Sequence, residues 1–271
     1  MPSPLQWNFD IDRYLNPLIP KPPWKHVPYP IAFLLGHRKG SLRPYGNLLL
    51  ILSAFIGVFT SIVLIEVVTH HLPAVPNHGP VIIASSGAAA VLEFYAIESP
   101  LSQPRNFFIS QIIASVIGIS FGKLFQLSPD FESIRWLGGA LACASTTALM
   151  ALTNTVHPPA GATALIAVVD LAVVDMGWFL IPVVILDCAI MMTVALILNN
   201  VCRRFPLYWW TAEDLGRPRD EPSPRPSSGD EEKAAAQHAE LIITRDVVLV
   251  PDHVRLSSEE QSLVEGLRSR L

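Results

Sequence analysis

One short stretch of the chain combines a histidine, two prolines and small residues: His157, Pro158, Pro159, Gly161, Ala162 and Thr163. It stands between two long apolar segments, so it predicts that one hydrophobic helix stops and another begins. Proline at the first helical positions removes N–H groups that would otherwise lack partners. The N–H groups that follow the prolines, with the positive end of the helix behind them, would attract a small anion.

Two roles are open to His157 at this break. Its imidazole donates a hydrogen bond to a bound anion, or it titrates if protons are coupled to transport. The alternative is a helix-start turn at the membrane surface, with His157 in the headgroup region.

A second break, at His78, Gly79 and Pro80, precedes another small-residue segment. Apolar segments that are interrupted at matching places in two halves indicate a transport site. The two breaks therefore predict one substrate site built from both halves. The alternative is chance, because small residues recur in membrane helices without any repeat.

Several ionisable residues fall inside the apolar segments: Glu66, Glu93, Lys123, Asp170, Asp175 and Asp187. Such groups are costly in a membrane and mark a pathway or a pair. Asp187 lies deepest in its segment, and we take Asp187 and Glu66 as the candidate coupling residues. For Glu66 the alternative is an interfacial pair with His70, one helical turn away.

Enzyme and metal chemistry lack their usual signatures. No HExxH, GxSxG or CxxC motif is present. Three histidines lie near one another at His70, His71 and His78, but no carboxylate or thiol joins them in that loop. We therefore expect no catalytic residues, no metal and no cofactor. The net charge of -4 gives no support to a nucleic-acid partner.

The composition indicates which kind of structural element positions these residues. The chain is 51% hydrophobic and only 15% charged, against about 25% charged in an average soluble domain. It therefore predicts an all-α integral membrane protein, with the lipid bilayer as its surroundings. The expected apolar segments cover residues 47–69, 80–97, 107–125, 134–153, 158–176 and 178–201.

These segments form two similar halves with Pro-interrupted helices, and they give four to six membrane segments. If the second and fifth segments cross fully, there are six spans in inverted halves. If they are re-entrant, there are four spans in parallel halves. Both arrangements place the termini on the same side. The basic run His37, Arg38, Lys39 and Arg43 before the first span predicts that this side is cytoplasmic.

Composition also divides the chain. Residues 1–45 form a Pro-rich N-terminal segment, and residues 46–203 form the transmembrane domain. Residues 204–271 form a polar cytoplasmic tail with a disordered linker at about 212–240. The tail then alternates like a strand over Leu241–Val250 and finishes with a short amphipathic helix. A docking or regulatory role suits a tail of this kind.

The third apolar segment contains Gly118 and Gly122 at GxxxG spacing. This spacing favours close helix contact. The contact lies either within one chain or between chains, so a homo-oligomer is one of the expected partners.

Two blocks of residues resemble the HPP family of integral membrane proteins. The blocks are Gly79-Pro80 with Ala84-Ser85-Ser86-Gly87-Ala88 and Ser99-Pro100-Leu101-Ser102-Gln103-Pro104-Arg105-Asn106, and then His157-Pro158-Pro159 with Gly161-Ala162-Thr163-Ala164. The resemblance covers roughly residues 45–203. It implies a multi-pass membrane protein, usually described with four spanning helices, and plant and cyanobacterial relatives are associated with nitrite transport. The family commonly has Gly-Gly-His soon after the Arg-Asn pair, whereas this chain has Phe107–Gln111 there.

The primary hypothesis is therefore a small-anion transporter or channel, with nitrite as the anion by family resemblance. The second is a membrane scaffold or sensor that acts through its cytoplasmic tail. A membrane enzyme ranks third, because no catalytic constellation is present.

Overall fold

The computed structural model describes residues 9–40, 45–71 and 83–213, together with strand residues 242–243 and 248–249. Two units can be distinguished by their packing, Met1–Gly216 and Arg217–Leu271. In the second unit, β1 (Ile242–Ile243) pairs antiparallel with β2 (Val248–Leu249). Both strands lie within the stretch whose alternation predicts a strand. Most of the predicted linker and the predicted amphipathic end lie outside the described residues.

The first unit is helical. Its α-helices are α1 (Asp12–Leu15), α2 (Tyr29–Leu34), α3 (Asn47–His70), α4 (Ala84–Phe94), α5 (Pro104–Phe125), α6 (Phe131–Leu152), α7 (Pro158–Val169), α8 (Leu171–Met176) and α9 (Leu180–Cys202). Short 3-10 turns occur at Asn16–Leu18, Pro100–Ser102 and Gly177–Phe179. The predicted all-α fold class is confirmed, and each predicted apolar segment corresponds to one helix, except 158–176, which contains α7 and α8.

The apolar helices come in two lengths. Among the described residues, three stretches are long and apolar enough to cross a membrane: Asn47–His70, Pro104–Phe125 and Leu171–Cys202. Helix α6 has 22 residues, as many as α5. By contrast, α4 has 11 residues and α7 has 12. At about 1.5 Å per residue each short helix measures about 17 Å, and neither alone crosses a hydrocarbon core of about 30 Å.

The helix packing confirms two similar halves. The halves are α3, α4 and α5, and then α6, α7 and α9. Helix α3 packs on α4 and on α9, just as α6 packs on α7 and on α5. Helix α4 packs on α9 as α7 packs on α5, and the two short helices also pack on each other. Gly87 is the fourth residue of α4 and Gly161 is the fourth residue of α7, so the small-residue blocks match in register.

The two predicted breaks differ in the structure. Helix α7 begins at Pro158 with His157 as its N-cap residue, as the proline pair predicts. Helix α4 begins at Ala84 with Ile83 as its N-cap residue, later than the predicted start at about residue 80. His78, Gly79 and Pro80 themselves lie outside the described residues.

The GxxxG glycines of α5 pack inside the chain. A Cβ atom at Gly118 would lie 2.7 Å from the Cβ of Ala167 and 2.9 Å from the carbonyl oxygen of Ala164. A Cβ atom at Gly122 would lie 3.2 Å from the carbonyl oxygen of Ala167. The two glycines therefore allow α5 to approach the second half of α7 closely.

Helix α3 shows how the bundle meets the bilayer. Its buried face carries small residues such as Ala54, Gly57 and Ser61. Its other face exposes large apolar side chains, including Leu48 and Phe55. Such an exposed apolar surface would be unfavourable in water, but it is the expected lipid-facing side of a membrane helix.

Candidate functional site

A small polar cavity lies between α4, α5 and α9. Its polar lining consists of Ser85, Ser86, Gln111 and Asp187. Apolar side chains complete the wall: Ile83, Ala89, Phe107, Val184, Cys188 and Met191. The cavity measures ≈ 10 Å³, which is about the space that one water molecule needs. Polar groups are therefore gathered in a part of the bundle where each is costly unless it has a partner.

Thr163 brings α7 to this cavity. Its hydroxyl oxygen lies 2.7 Å from Ser85 Oγ and 2.7 Å from Gln111 Oε1. An amide oxygen only accepts, so Thr163 donates to Gln111 and accepts from the Ser85 hydroxyl. All three side chains are buried. Thr163 thus connects α7 with α4 and α5, and it contacts the cavity through hydrogen bonds to two of its lining residues.

Asp187 is the charged residue of the cavity. Its side chain lies on α9 and is buried, with only 4% of the residue exposed. Ser86 on α4 lines the same cavity. The Asp187 Oδ1 atom is buried and has no hydrogen-bond partner among the described residues. A carboxylate in this setting repels an anion and favours a proton, a cation or a hydrogen-bond donor.

Glu93 is a second buried acid in the apolar segments, close in sequence to the cavity residues of α4 but not itself one of the lining residues. It lies on α4 and is 0% exposed, and both carboxyl oxygens lack partners among the described residues. The sequence signal that links Glu93 to the cavity residues is its spacing along α4. Ser86, Ala89 and Glu93 follow one another at helical intervals of three and four residues, so they lie on one face of α4.

Glu66 is placed differently from Asp187. It lies half-buried on α3, with Oε2 buried and unpartnered in the described part of the chain. It is not one of the residues that line the cavity. Within the described ranges it forms no ion pair with His70, which is exposed and contacts the ring of His71. A coupling role for Glu66 therefore stays a prediction.

His157 is packed inside the protein. The residue is 0% exposed, and its ring lies 5.2 Å from that of Phe107. Nδ1 lies 2.8 Å from the carbonyl oxygen of Leu101. A carbonyl oxygen only accepts, so Nδ1 carries the proton of this hydrogen bond. Nε2 is buried without a partner in the described residues, and a neutral ring with a free Nε2 acceptor avoids burying an unpaired charge.

The backbone at the start of α7 offers few free donors. Pro158 and Pro159 have no N–H group, and the Ala160 N–H donates to the carbonyl oxygen of His157 at 3.0 Å. The N–H groups of Gly161 onwards pair within the helix by its regular pattern. The expectation of free N–H groups after the prolines is therefore wrong. A substrate-binding role for the six residues of this break stays a prediction, and Thr163 alone presents a polar side chain to the cavity network.

The polar residues of the loop before α5 form hydrogen bonds that hold the loop in place. Ser99 caps the 3-10 turn by accepting a hydrogen bond from the Leu101 N–H at 3.2 Å. The Gln103 side chain donates to the carbonyl oxygen of Ile97 at 2.9 Å and accepts from the Leu207 N–H at 2.9 Å. This loop therefore joins the first half of the bundle to the segment after α9.

The end of α9 is closed by a cluster of hydrogen bonds around Asn200. Its amide donates to the carbonyl oxygen of Leu34 at 2.8 Å, and its side-chain oxygen accepts from Arg38 at 2.8 Å. Burial lowers the pKa of Arg38, and the nearby Tyr29 acts in the opposite direction. The segment around α2 is thereby held against the end of the bundle.

Within the described residues, no group of three His, Cys, Asp or Glu side chains is arranged to hold a metal ion. His70 and His71 lie at the end of α3, and His78 falls outside the described ranges.

Comparison with known proteins adds a family match. The profile of a family described as HPP, transmembrane region, matches residues 43–206. A transmembrane protein of Dictyostelium discoideum is 37% identical over 183 residues, which cover 65% of this chain and 61% of the relative. A second transmembrane protein of the same organism is 32% identical over 166 residues, covering 59% of this chain and 50% of the relative. The chain thus spans less than two thirds of each curated relative. No solved structure matches it.

Proposed function

Because this chain belongs to the HPP family of integral membrane proteins, we propose that its helical bundle transports a small polar solute across the membrane. The supporting observation is the cavity lined by Ser85, Gln111 and Asp187, to which Thr163 is hydrogen-bonded. Polar groups from both halves meet there, next to two helices too short to cross. Ionisable residues and interrupted helices in that arrangement are typical of a solute pathway.

The substrate we propose is a small anion, with nitrite as the candidate from the family resemblance, carried together with a proton. Asp187 determines this coupling. An ionised carboxylate would repel an anion at close range in a medium of low dielectric constant. With the proton on Asp187, its O–H and the Ser86 hydroxyl are donors to the anion, and the Ser85 hydroxyl joins them once its hydrogen bond to Thr163 opens. Proton and anion then cross together, and no net charge is moved through the apolar bundle.

The cavity must enlarge during transport. At ≈ 10 Å³ it holds about one water molecule, whereas nitrite has three heavy atoms. A movement of α4 away from α5 and α9, which form the rest of the wall, would open it, and this movement would also break the 2.7 Å hydrogen bond from Ser85 to Thr163 on α7. The described conformation therefore corresponds to a closed state of the proposed cycle.

The test uses purified full-length protein in liposomes and measures nitrite uptake with and without an acidic exterior. Wild-type protein is expected to exceed protein-free liposomes, and Thr163→Val is expected to lower the rate. The matched control is Thr193→Val on α9, because the exposed Thr193 hydroxyl donates only to its own helix at Ala189. Uptake equal to that of protein-free liposomes would refute the proposal.

A further inference from the structure

A buried ion pair joins the N-terminal segment to the start of α5. Arg105 Nη2 lies 2.5 Å from Asp12 Oδ1, and both residues are only 5% exposed. The same Nη2 donates to the carbonyl oxygen of Thr153 at 3.0 Å. The Arg105 guanidinium lies over the ring of Trp210 at 4.4 Å. Arginine is thus held in a fixed orientation beside α5, with its charge directed at one carboxylate.

The second oxygen of that carboxylate has its own donor. Asn154 Nδ2 donates to Asp12 Oδ2 at 2.7 Å. Asn154 has a positive φ of 52°, a conformation that costs other non-glycine residues more than asparagine. The loop between α6 and α7 therefore presents the amide from one side while α5 presents the guanidinium from the other. Two oxygens of one planar anion are bound by two separate elements.

The Arg105 guanidinium has one N–H group that could donate a further hydrogen bond. Arg105 Nε is buried and has no hydrogen-bond partner among the described residues. Burial raises the pKa of the nearby Tyr208 hydroxyl, and the charge of Arg105 acts in the opposite direction. Asn154 is exposed, so the pocket borders the surface at this end of the bundle.

The carboxylate and its donors belong to different parts of the sequence. Arg105 and Asn154 lie within the family region, residues 43–206, whereas Asp12 lies before it. The pocket is therefore made by the transmembrane domain, and its occupant is supplied by the N-terminal segment. Two residues beyond Arg105, Phe107 lines the central cavity.

We propose that Arg105 and Asn154 form a binding site for a small planar monovalent anion with two oxygen acceptors, such as a carboxylate or nitrite, and that Asp12 is a tethered competitor for it. When the N-terminal segment is docked, Asp12 fills the site. When it leaves, a free anion takes its place. The effect on transport rests on the proposed function, but the binding of the anion does not.

The test is anion rescue of full-length protein in detergent, followed by thermal unfolding. Asp12→Ala leaves Arg105 buried without its partner and is expected to lower the midpoint by about 10 °C. Formate and nitrite are titrated in separate arms, with chloride at equal ionic strength. Either anion is expected to raise the midpoint of Asp12→Ala on the order of 5 °C above the chloride control. Wild-type protein, whose site is filled, is expected to shift much less.

Two control variants show whether the shift depends on the Arg105 site, and a third variant replaces Asp12→Ala if that protein does not fold. Asp12→Ala with Arg105→Met removes the cation, so rescue by anions should disappear. Glu132→Ala is the matched control, because the exposed Glu132 pairs with the half-buried Arg135 at 3.5 Å, and removing an exposed carboxylate creates no enclosed site. Asp12→Ser, whose smaller side chain leaves room beside Arg105, serves as the test if Asp12→Ala does not fold.

The two arms identify the ligand class. A shift with formate but not nitrite assigns the site to carboxylates, and the reverse assigns it to nitrite-like anions. Equal shifts in all variants, or no anion-specific shift in either Asp12 variant, would overturn the proposal. Liposome transport is not needed for this readout, so a failure here is distinguishable from a failure of the proposed function.

Discussion

The Thr163 hydroxyl on α7 lies 2.7 Å from the Ser85 hydroxyl on α4, and this contact joins the two short helices of the two halves. Each helix is paired with a long helix of its own half, and each is too short to cross alone. Their contact therefore places polar groups at the centre of the bundle. Ser85 also lines the cavity that contains Asp187.

Replacing Thr163 with valine tests that contact. Valine has nearly the same shape but no hydroxyl, so Ser85 and Gln111 Oε1 each lose a partner. We expect a loss of about 1–3 kcal/mol in the free energy of unfolding and a fall in nitrite uptake of about tenfold. Chemical denaturation in detergent and uptake into liposomes measure the two effects. Thr193→Val should leave both near the wild-type values, and equal losses in the two variants would contradict the assigned contact.

Alanine substitutions at a closely packed glycine, Gly118, and at an unpacked one, Gly87, test the packing of α5 on α7. Gly118→Ala would place a Cβ 2.7 Å from the Ala167 Cβ and 2.9 Å from a backbone oxygen, so the helices must separate. Overpacking of this kind costs about 1–3 kcal/mol. Gly87→Ala is the control, because a Cβ there meets nothing within 4 Å. Thermal midpoints should fall for Gly118→Ala and stay level or rise for Gly87→Ala, and the opposite order would rule out this packing.

Asp12 should restrain transport if the Arg105 site lies on the route of the anion. Removing its charge with Asp12→Asn should raise the initial rate of nitrite uptake at low external nitrite, with less effect at saturating nitrite. The reason is competition, because a tethered carboxylate lowers the apparent affinity for the free anion. Initial rates over a nitrite series give the split between KM and maximal rate. An unchanged KM would separate the Arg105 site from the transport route.

Deleting Arg217–Leu271 distinguishes transport from the scaffold hypothesis. This deletion removes the second unit and leaves Met1–Gly216 intact. We expect uptake into liposomes to stay within about twofold of wild type, since all the cavity residues lie in the first unit. A sensor or scaffold that acts through its tail would lose its cellular effect on the same deletion. Loss of liposome uptake would show that the tail takes part in transport itself.

Local chemistry explains which features the sequence predicted well. The start of α7 at Pro158 follows from proline, which restricts its own backbone and excludes a preceding helical turn. The apolar segments follow from composition and length. Gly118 and Gly122 predicted a close helix contact, and the structure adds that the partner is α7 of the same chain.

Contacts between residues that are far apart in the chain could not be predicted from the sequence. Gln111 and Thr163 are 52 residues apart, and Asp12 and Arg105 are 93 apart. Hydroxyl and amide residues are common in membrane helices, so nothing local marks those that converge. The expectation of free N–H groups after the prolines failed for a local reason. Gly161, Ala162 and Thr163 lie inside α7, whose regular pattern pairs their N–H groups, and the Ala160 N–H is paired with the carbonyl oxygen of His157.

Asp187 provides the most direct test of the central claim, which is that a small anion crosses with a proton through the polar cavity. The measurement is nitrite uptake into liposomes containing wild-type or Asp187→Asn protein, at neutral pH and with an acidic exterior, with the rate of protein-free liposomes subtracted. We expect the acidic exterior to accelerate uptake by wild-type protein, and we expect Asp187→Asn to lose that acceleration because an amide cannot carry the proton. Uptake no faster than in protein-free liposomes, or an equal response to acid in both proteins, would contradict the account.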